Sequence, residues 1–255
     1  MRAAAHLRTL TGPEELARWQ FPDLSDWFDP FLPHFIREAL RCGGEVLLAE
    51  EGATVRGLYL HHPAERVDSV FTRDRSLVDG FRTARDPPSL YTPFRIAPDD
   101  EVFHILALDT GAWPGVGRFT YAPRFATPED LPPIRGLLTD VYGGLDERWF
   151  ATLPSAEERC FLVEVDGTLA GVAWATLAGA HGRLHSLSVR PADRRLGIGT
   201  DLWAARVLWL RAAGARRVIS EVGERNLPSQ AVAARGGMRR VGRMFRHDRA
   251  LADPA

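Results

Sequence analysis

"VRPADRRLGIGTDLW", Val189 to Trp203, is the stretch on which the reading of this chain turns. The run before it, "GRLHSLSV", ends in the alternation Leu187, Ser188, Val189 and reads as a strand that Pro191 stops. From Thr200, "TDLWAARVLWLRAAG" carries apolar residues at helical spacing (Leu202, Ala205, Trp209 and Trp203, Val207, Leu210). Arg206 and Arg211 stand on polar positions, and Gly214 is a C-terminal stop. "RRVISEV" returns as a strand. A glycine turn between a strand and a helix leaves the backbone N–H groups of Leu196, Gly197, Ile198, Gly199 and Thr200 without helical partners, at the positive end of the dipole. Glycine at 197 and 199 removes the Cβ atoms that would hold a ligand's oxygens away, and Arg194 and Arg195 add positive charge. The ligand this chemistry suits is a pyrophosphate.

Several families build anion sites in this way, and the surrounding residues decide between them. A P-loop needs Gly-Lys-Ser/Thr, and the chain has no lysine: all 32 basic residues are arginine. A dinucleotide fingerprint wants a third glycine at 202, where Leu202 stands. By contrast, Arg194-x-x-Gly197-x-Gly199 after a strand ending in Val-x-Pro resembles the acyl-CoA loop of the GCN5-related N-acetyltransferases (GNAT). "LSVRPADRRLGIGTDL" matches that motif along its whole length. A second stretch, "EVGERNLPSQAVAARGGM" (Glu221 to Met238), is similar to the family's Asn-x-x-Ser/Ala helix, with Asn226, Ser229 and Gly237 in place.

The resemblance implies an α/β fold, a mixed central sheet flanked by helices, with acetyl-CoA as cosubstrate and no metal. It implies that Asn226 and Ser229 help hold the pantetheine arm, and that the backbone of Leu187 to Val189 pairs with the pantetheine amides like an added strand. It covers residues 118 to about 247.

The two halves also resemble each other. "LLAEEGATVRG", from Leu47, aligns without a gap on "FLVEVDGTLAG", from Phe161, at an offset of 114 (161 minus 47), and each reads as a β-hairpin. At the same offset "HILALDT" from His104 falls on "VISEVGE" from Val218. "TGPEEL" parallels "TPEDL", in which Thr127 and Asp130 have capping-box spacing. The expected order of strand, helix, hairpin, strand, helix, strand therefore occurs twice, giving two tandem GNAT-like domains. Residues 1–112 form a degenerate copy, because "TRDRSLVDGFR" lacks the glycine loop, and residues 118–255 form the catalytic domain. "TGAWPGVG" (Thr110 to Gly117) reads as a linker and "ARDPPSLYTPF" (Ala84 to Phe94) as a loop.

The net charge of -1 argues against a general nucleic-acid or membrane-surface partner, and no apolar run has transmembrane length. Two cysteines are too few for a disulfide framework, and the cytoplasm is the expected compartment. The expected partner is a small-molecule or peptide amine, with a homodimer as one assembly open to the chain.

Amine acetylation needs a path for the amine's proton. Glu221, five residues before Asn226, is the expected base, because a glutamate in this place serves the similar ribosomal-protein N-terminal acetyltransferases. Glu224 is a weaker candidate. His185 titrates in the right range. The tyrosine that usually protonates the departing thiolate is replaced by Ala233. Asp140, Tyr142, Asp146 and Glu147 are expected to line the acceptor site. Trp19, Trp27, Phe28 and Phe31 offer either a surface over that cleft or, more commonly for aromatics, core packing. The competing class is a non-catalytic acyl-CoA-binding module, which an ion-paired Glu221 would favour. A longer acyl donor is the third reading.

Overall fold

The computed structural model describes residues 6–18, 24–52, 54–63, 67–143 and 157–249. They form two compact units, residues 1–103 with 243–255, and residues 104–242. By contacts the second unit begins at His104, within the stretch expected to belong to the first copy, and residues 243–249 group with the first unit.

The first unit runs β1 (His6–Thr9), α1 (Leu32–Arg41), β2 (Glu45–Glu51), β3 (Thr54–His61), β4 (Asp68–Thr72), α2 (Arg75–Arg85) and β5 (Ser89–Thr92). Next comes β6 (Glu101–Asp109), which belongs to the second unit from His104 onward. The second unit continues with β7 (Arg124–Phe125), α3 (Leu131–Tyr142), β8 (Glu158–Val165), β9 (Thr168–Ala178) and β10 (His181–Val189). It ends with α4 (Ile198–Ala212), β11 (Arg217–Gly223) and α5 (Leu227–Arg235). The last strand, β12 (Arg239–Asp248), enters the first unit at Arg243. There Phe245–Asp248 lie antiparallel against Thr92–Ser89 of β5.

The repeat is visible in the ladders. In the first hairpin Ala49 faces Gly57 and Glu51 faces Thr54; in the second Val163 faces Gly171 and Val165 faces Thr168. Both hairpins carry a register shift at the same place, after Ala49 and after Val163, as the offset of the two sequences requires. Two sequence expectations are corrected. The strand matching β11 is β5, since β5 runs parallel to β4 as β11 does to β10. "HILALDT" falls in β6 instead. "ARDPPSLYTPF", expected as a loop, contains β5: its prolines precede the strand, and Leu90 and Thr92 alternate inward.

In the second unit β9 is buried along nearly its whole length, because both faces are covered. Ala173 and Ala175 face Ile198, Leu202 and Val207 of α4, while Val172 and Trp174 face Ile134 and Leu138 of α3. Gly171 permits that approach: a Cβ there would stand 2.7 Å from Ile198 Cγ2. The stretch expected as a linker is packed here. Thr110 bonds to the carbonyls of Ala215 and Arg216, and buried Trp113 meets Trp203 edge to face. Phe28 and Phe31 are buried in the first unit, with Phe28 against Phe71, so their use is core packing; Trp19 lies outside the described residues.

Candidate acyl-CoA and acceptor site

The site is built on an interruption in β10. Its pairing with β9 shifts register between His185 and Ser188, and Ser186 takes a left-handed φ of 52°. Its parallel pairing with β11 runs from His181–Arg217 to Leu184–Ser220. Beyond that, the β11 side of Leu187, Ser188 and Val189 has no strand partner among the described residues.

Arg206 of α4 sits beneath the interruption. The sequence places it among polar positions, yet it is 2% exposed. Its guanidinium donates to the carbonyls of Leu202, Trp174 and His185 at 3.0–3.1 Å. No carboxylate among the described residues pairs with it, and burial pushes it well below the usual arginine value.

After Val189, eight residues (Arg190 to Gly197) lead into α4. Arg190 pairs with Asp193, Arg195 has a φ of 67°, and Gly197 at 96° is the residue from which the helix starts. Thr200 and Asp201 already donate their N–H groups to Gly197 O, which removes Thr200 N–H from the expected anion donors. For the N–H groups of Leu196, Gly197, Ile198 and Gly199, no acceptor exists among the described residues. Asp201 does not compete for them, because its buried carboxylate turns to Thr120 N and Tyr121 N. Arg194 and Arg195 are exposed, with Arg194 Nε bonding Val189 O at 3.2 Å.

Gly199 tests the fit of a ligand. Its φ is not positive, and a Cβ there would meet Leu187 and Val189 only at ordinary contact, 3.7 and 3.9 Å. Nothing among the described residues requires glycine at this helical position; close approach by an anion's oxygens would. The equivalent turn of the first unit is closed from within. Only Arg73 and Asp74 separate β4 from α2, and Asp74 accepts from Ser76 N at 2.9 Å.

A polar cluster lies on the α3 face of the second unit's sheet. Both oxygens of Glu221 accept from Arg183 Nε, at 3.0 and 3.2 Å, and the carboxylate is 11% exposed. The expected base is thus an ion-pair partner. His185 is enclosed beside it: Nε2 lies 3.1 Å from both Glu158 Oε1 and Thr176 Oγ1, and Nδ1 lies 3.2 Å from Ser186 Oγ. Burial first, then Arg183, holds its imidazole below the ordinary histidine value. Tyr142, at the end of α3, reaches β10 by a 3.0 Å hydroxyl contact with Ser188. Asp140 is exposed, and Asp146 and Glu147 lie outside the described residues.

Asn226 caps α5 through Oδ1, which accepts from Ser229 N, while half-buried Ser229 follows on the first turn. Glu224 lies 3.8 Å from His104. Ala233 is buried in the core. Glu158, Thr176 and Arg183 were missed from sequence because their roles depend on cross-strand neighbours. Among the described residues, no group of His, Cys, Asp or Glu is placed to hold a metal, and no helix is long and apolar enough to cross a membrane.

Residues 129–238 match the family model "Acetyltransferase (GNAT) family". No curated protein matches the sequence. Among solved structures, a tandem GNAT protein from the clavulanic acid biosynthesis pathway is similar at 16% identity and a TM-score of 0.58, over 97% of this chain and 100% of that one. A GNAT-family acetyltransferase from Colwellia psychrerythraea is similar at 11% identity and a TM-score of 0.60, over 94% and 98%. A GCN5-related N-acetyltransferase from Sphaerobacter thermophilus is similar at 14% and 0.58, over 80% and 79%. With its interrupted β10 and glycine-capped α4, the segment 129–238 is a domain of the acetyltransferase (GNAT) family, in a chain whose fold is that of tandem GNAT proteins.

Proposed function

We propose that the second unit is an acetyl-CoA-dependent N-acetyltransferase acting on a primary amine, and that the first is a degenerate copy without a cofactor site. One observation carries this reading: the open side of β10 at Leu187–Val189 lies next to free N–H groups at the start of α4. The pyrophosphate is held by the N–H groups of Leu196 to Gly199 with Arg194 and Arg195, and by the Thr200 hydroxyl at the same turn. The pantetheine amides pair with the backbone of Leu187, Ser188 and Val189, with Asn226 and Ser229 at the far side. Bound acetyl-CoA supplies an activated acetyl thioester.

Tyr142 and Asp140 face the acceptor, and the carboxylate of Glu221, held by Arg183, is its counter-charge. His185, whose Nδ1 lies 3.2 Å from Ser186 Oγ, takes the role of base beside Glu221. Acetyl-CoA is the only cosubstrate in this reading, the acceptor is a small amine or a peptide, and the compartment is the cytoplasm.

The Glu221–Arg183 pair favours a second reading, an acyl-CoA-binding module without turnover. Calorimetry with acetyl-CoA, followed by release of free thiol in a screen of amines, separates the two. One site per chain with thiol release supports the enzyme. Binding without release supports the module, and no binding overturns both. If long-chain acyl-CoA binds and reacts better than acetyl-CoA, the donor is a longer acyl group.

A further inference from the structure

We propose that Glu158, His185 and Ser186 form a proton relay, with the Ser186 hydroxyl as the group that takes the acceptor's proton; this rests on the acetyltransferase reading above. The hydrogen-bond inventory fixes its direction. Thr176 Oγ1 donates to Glu158 Oε1 at 3.1 Å, so its only proton is committed and toward His185 it can only accept. Glu158 is likewise an acceptor. Both neighbours of Nε2 are therefore acceptors, and Nε2 carries the ring proton. Nδ1 is left as the basic nitrogen, and Ser186 donates to it at 3.2 Å.

The three groups come from β8 and β10, and Thr176 from β9 braces them. Ser186 holds a φ of 52° at the point where β10 leaves its ladder, a conformation serine adopts only when its surroundings impose it. That conformation puts its hydroxyl beside the ring of the preceding residue. Arg206 fixes the same peptide from α4 by donating to His185 O at 3.1 Å. Among the described residues, the charged groups around His185 are Glu158 on β8, Arg183 on β10 and Glu221 on β11, with Arg206 at its carbonyl.

The acceptor enters as an ammonium and gives one proton to Ser186 Oγ while Ser186 passes its own to Nδ1, which frees the lone pair that attacks; the nitrogen's second proton leaves to water as the amide forms. The C–N bond forms, and the C–S bond breaks with its electron pair on sulfur. The imidazolium, stabilised by Glu158, then loses its proton to water, and the thiolate takes one from water. Ser186 is the residue that touches the acceptor; Glu158 is a positioning residue.

The full chain is tested with acetyl-CoA and n-butylamine, following free thiol against pH, beside the nitrogen-15 spectrum of labelled histidine. The His185 signal is the one that disappears in His185→Gln. Ser186→Gly accepts the positive φ and removes the hydroxymethyl group that carries the relay's hydroxyl. It should lower turnover about a hundredfold near pH 7 with acetyl-CoA binding unchanged. The loss should shrink as pH rises and the ammonium in solution loses its proton unaided. In the wild type, activity should persist below the ordinary histidine range, because the relay needs neutral imidazole and His185 stays neutral there. Glu158→Gln removes a group that raises the His185 proton affinity, so the acid limb should move to lower pH as the rate falls. The spectrum should show the Nε2–H tautomer.

An Nδ1–H tautomer, or equal rates for Ser186→Gly and wild type at every pH, overturns the relay and leaves the acetyltransferase standing. Bound acetyl-CoA with no turnover by the wild type removes both in favour of the binding module. No binding removes the whole reading.

Discussion

Gly236 and Gly237 are adjacent and glycine for different reasons. At Gly236 a Cβ would stand 2.2 Å from the Trp203 ring, which is buried and held edge to face by Trp113. Gly237 has a φ of 88° and ample room. Gly236→Ala should therefore cost about 1–3 kcal/mol through overpacking. Gly237→Ala should cost about 1 kcal/mol through its backbone alone. Urea denaturation of the two variants reads the difference. In the loop proposed to hold the pyrophosphate, Gly197→Val faces the same φ problem at 96° and should abolish acetyl-CoA binding in calorimetry while the fold survives. The turn into α4 was legible because its requirement is local: the positive φ at Gly197 leaves glycine in the sequence. Arg206 was not legible. Its spacing on α4 is that of a polar position, and only the carbonyls freed by the interruption in β10 explain its burial. Arg206→Leu leaves the Trp174 and His185 carbonyls without this donor and should cost about 2 kcal/mol.

Helix starts and hairpins were the elements read most faithfully, since caps and turns are written in consecutive residues. The Thr127–Asp130 capping box stands as the spacing predicts, with Thr127 N donating to Asp130 Oδ2 at 2.8 Å. The structure adds Arg124, whose guanidinium reaches both Asp130 oxygens and holds that carboxyl far below the usual range. A carboxyl depressed in the folded state stabilises above the ordinary aspartate pKa, and the contribution is lost as pH falls through and below it. Asp130→Asn should thus lower stability by about 1 kcal/mol at neutral pH. The difference should vanish in strong acid, and thermal melts across that range test it. Short strands were the elements missed: β5 has four residues and two prolines before it, which outweigh its alternation when no partner strand is in view.

At the scale of the chain, the duplication was legible because hairpin register survives in sequence offset. The pairing of the last strand was not, because nothing local in "RRVGRMFRHD" says which strand it will lie against. Its last residues join the first unit, where His247 bonds Asp100 and Arg246 pairs with Glu101. Truncation after Gly242 should leave acetyl-CoA binding by the second unit intact. It should lower the melting temperature of the first by several degrees, about 4–8 °C for each kcal/mol lost, as calorimetry would show.

The strand end beside β5 also sets an order of events during synthesis. The first unit, which leaves the ribosome first, cannot finish its sheet until Phe245–Asp248 have been translated. For that interval β5 presents an unsatisfied hydrogen-bonding edge, open to a neighbouring nascent chain on the same message. A pause in translation between residues 104 and 242 prolongs the exposure, so the yield of native protein should depend on how fast the second half is made.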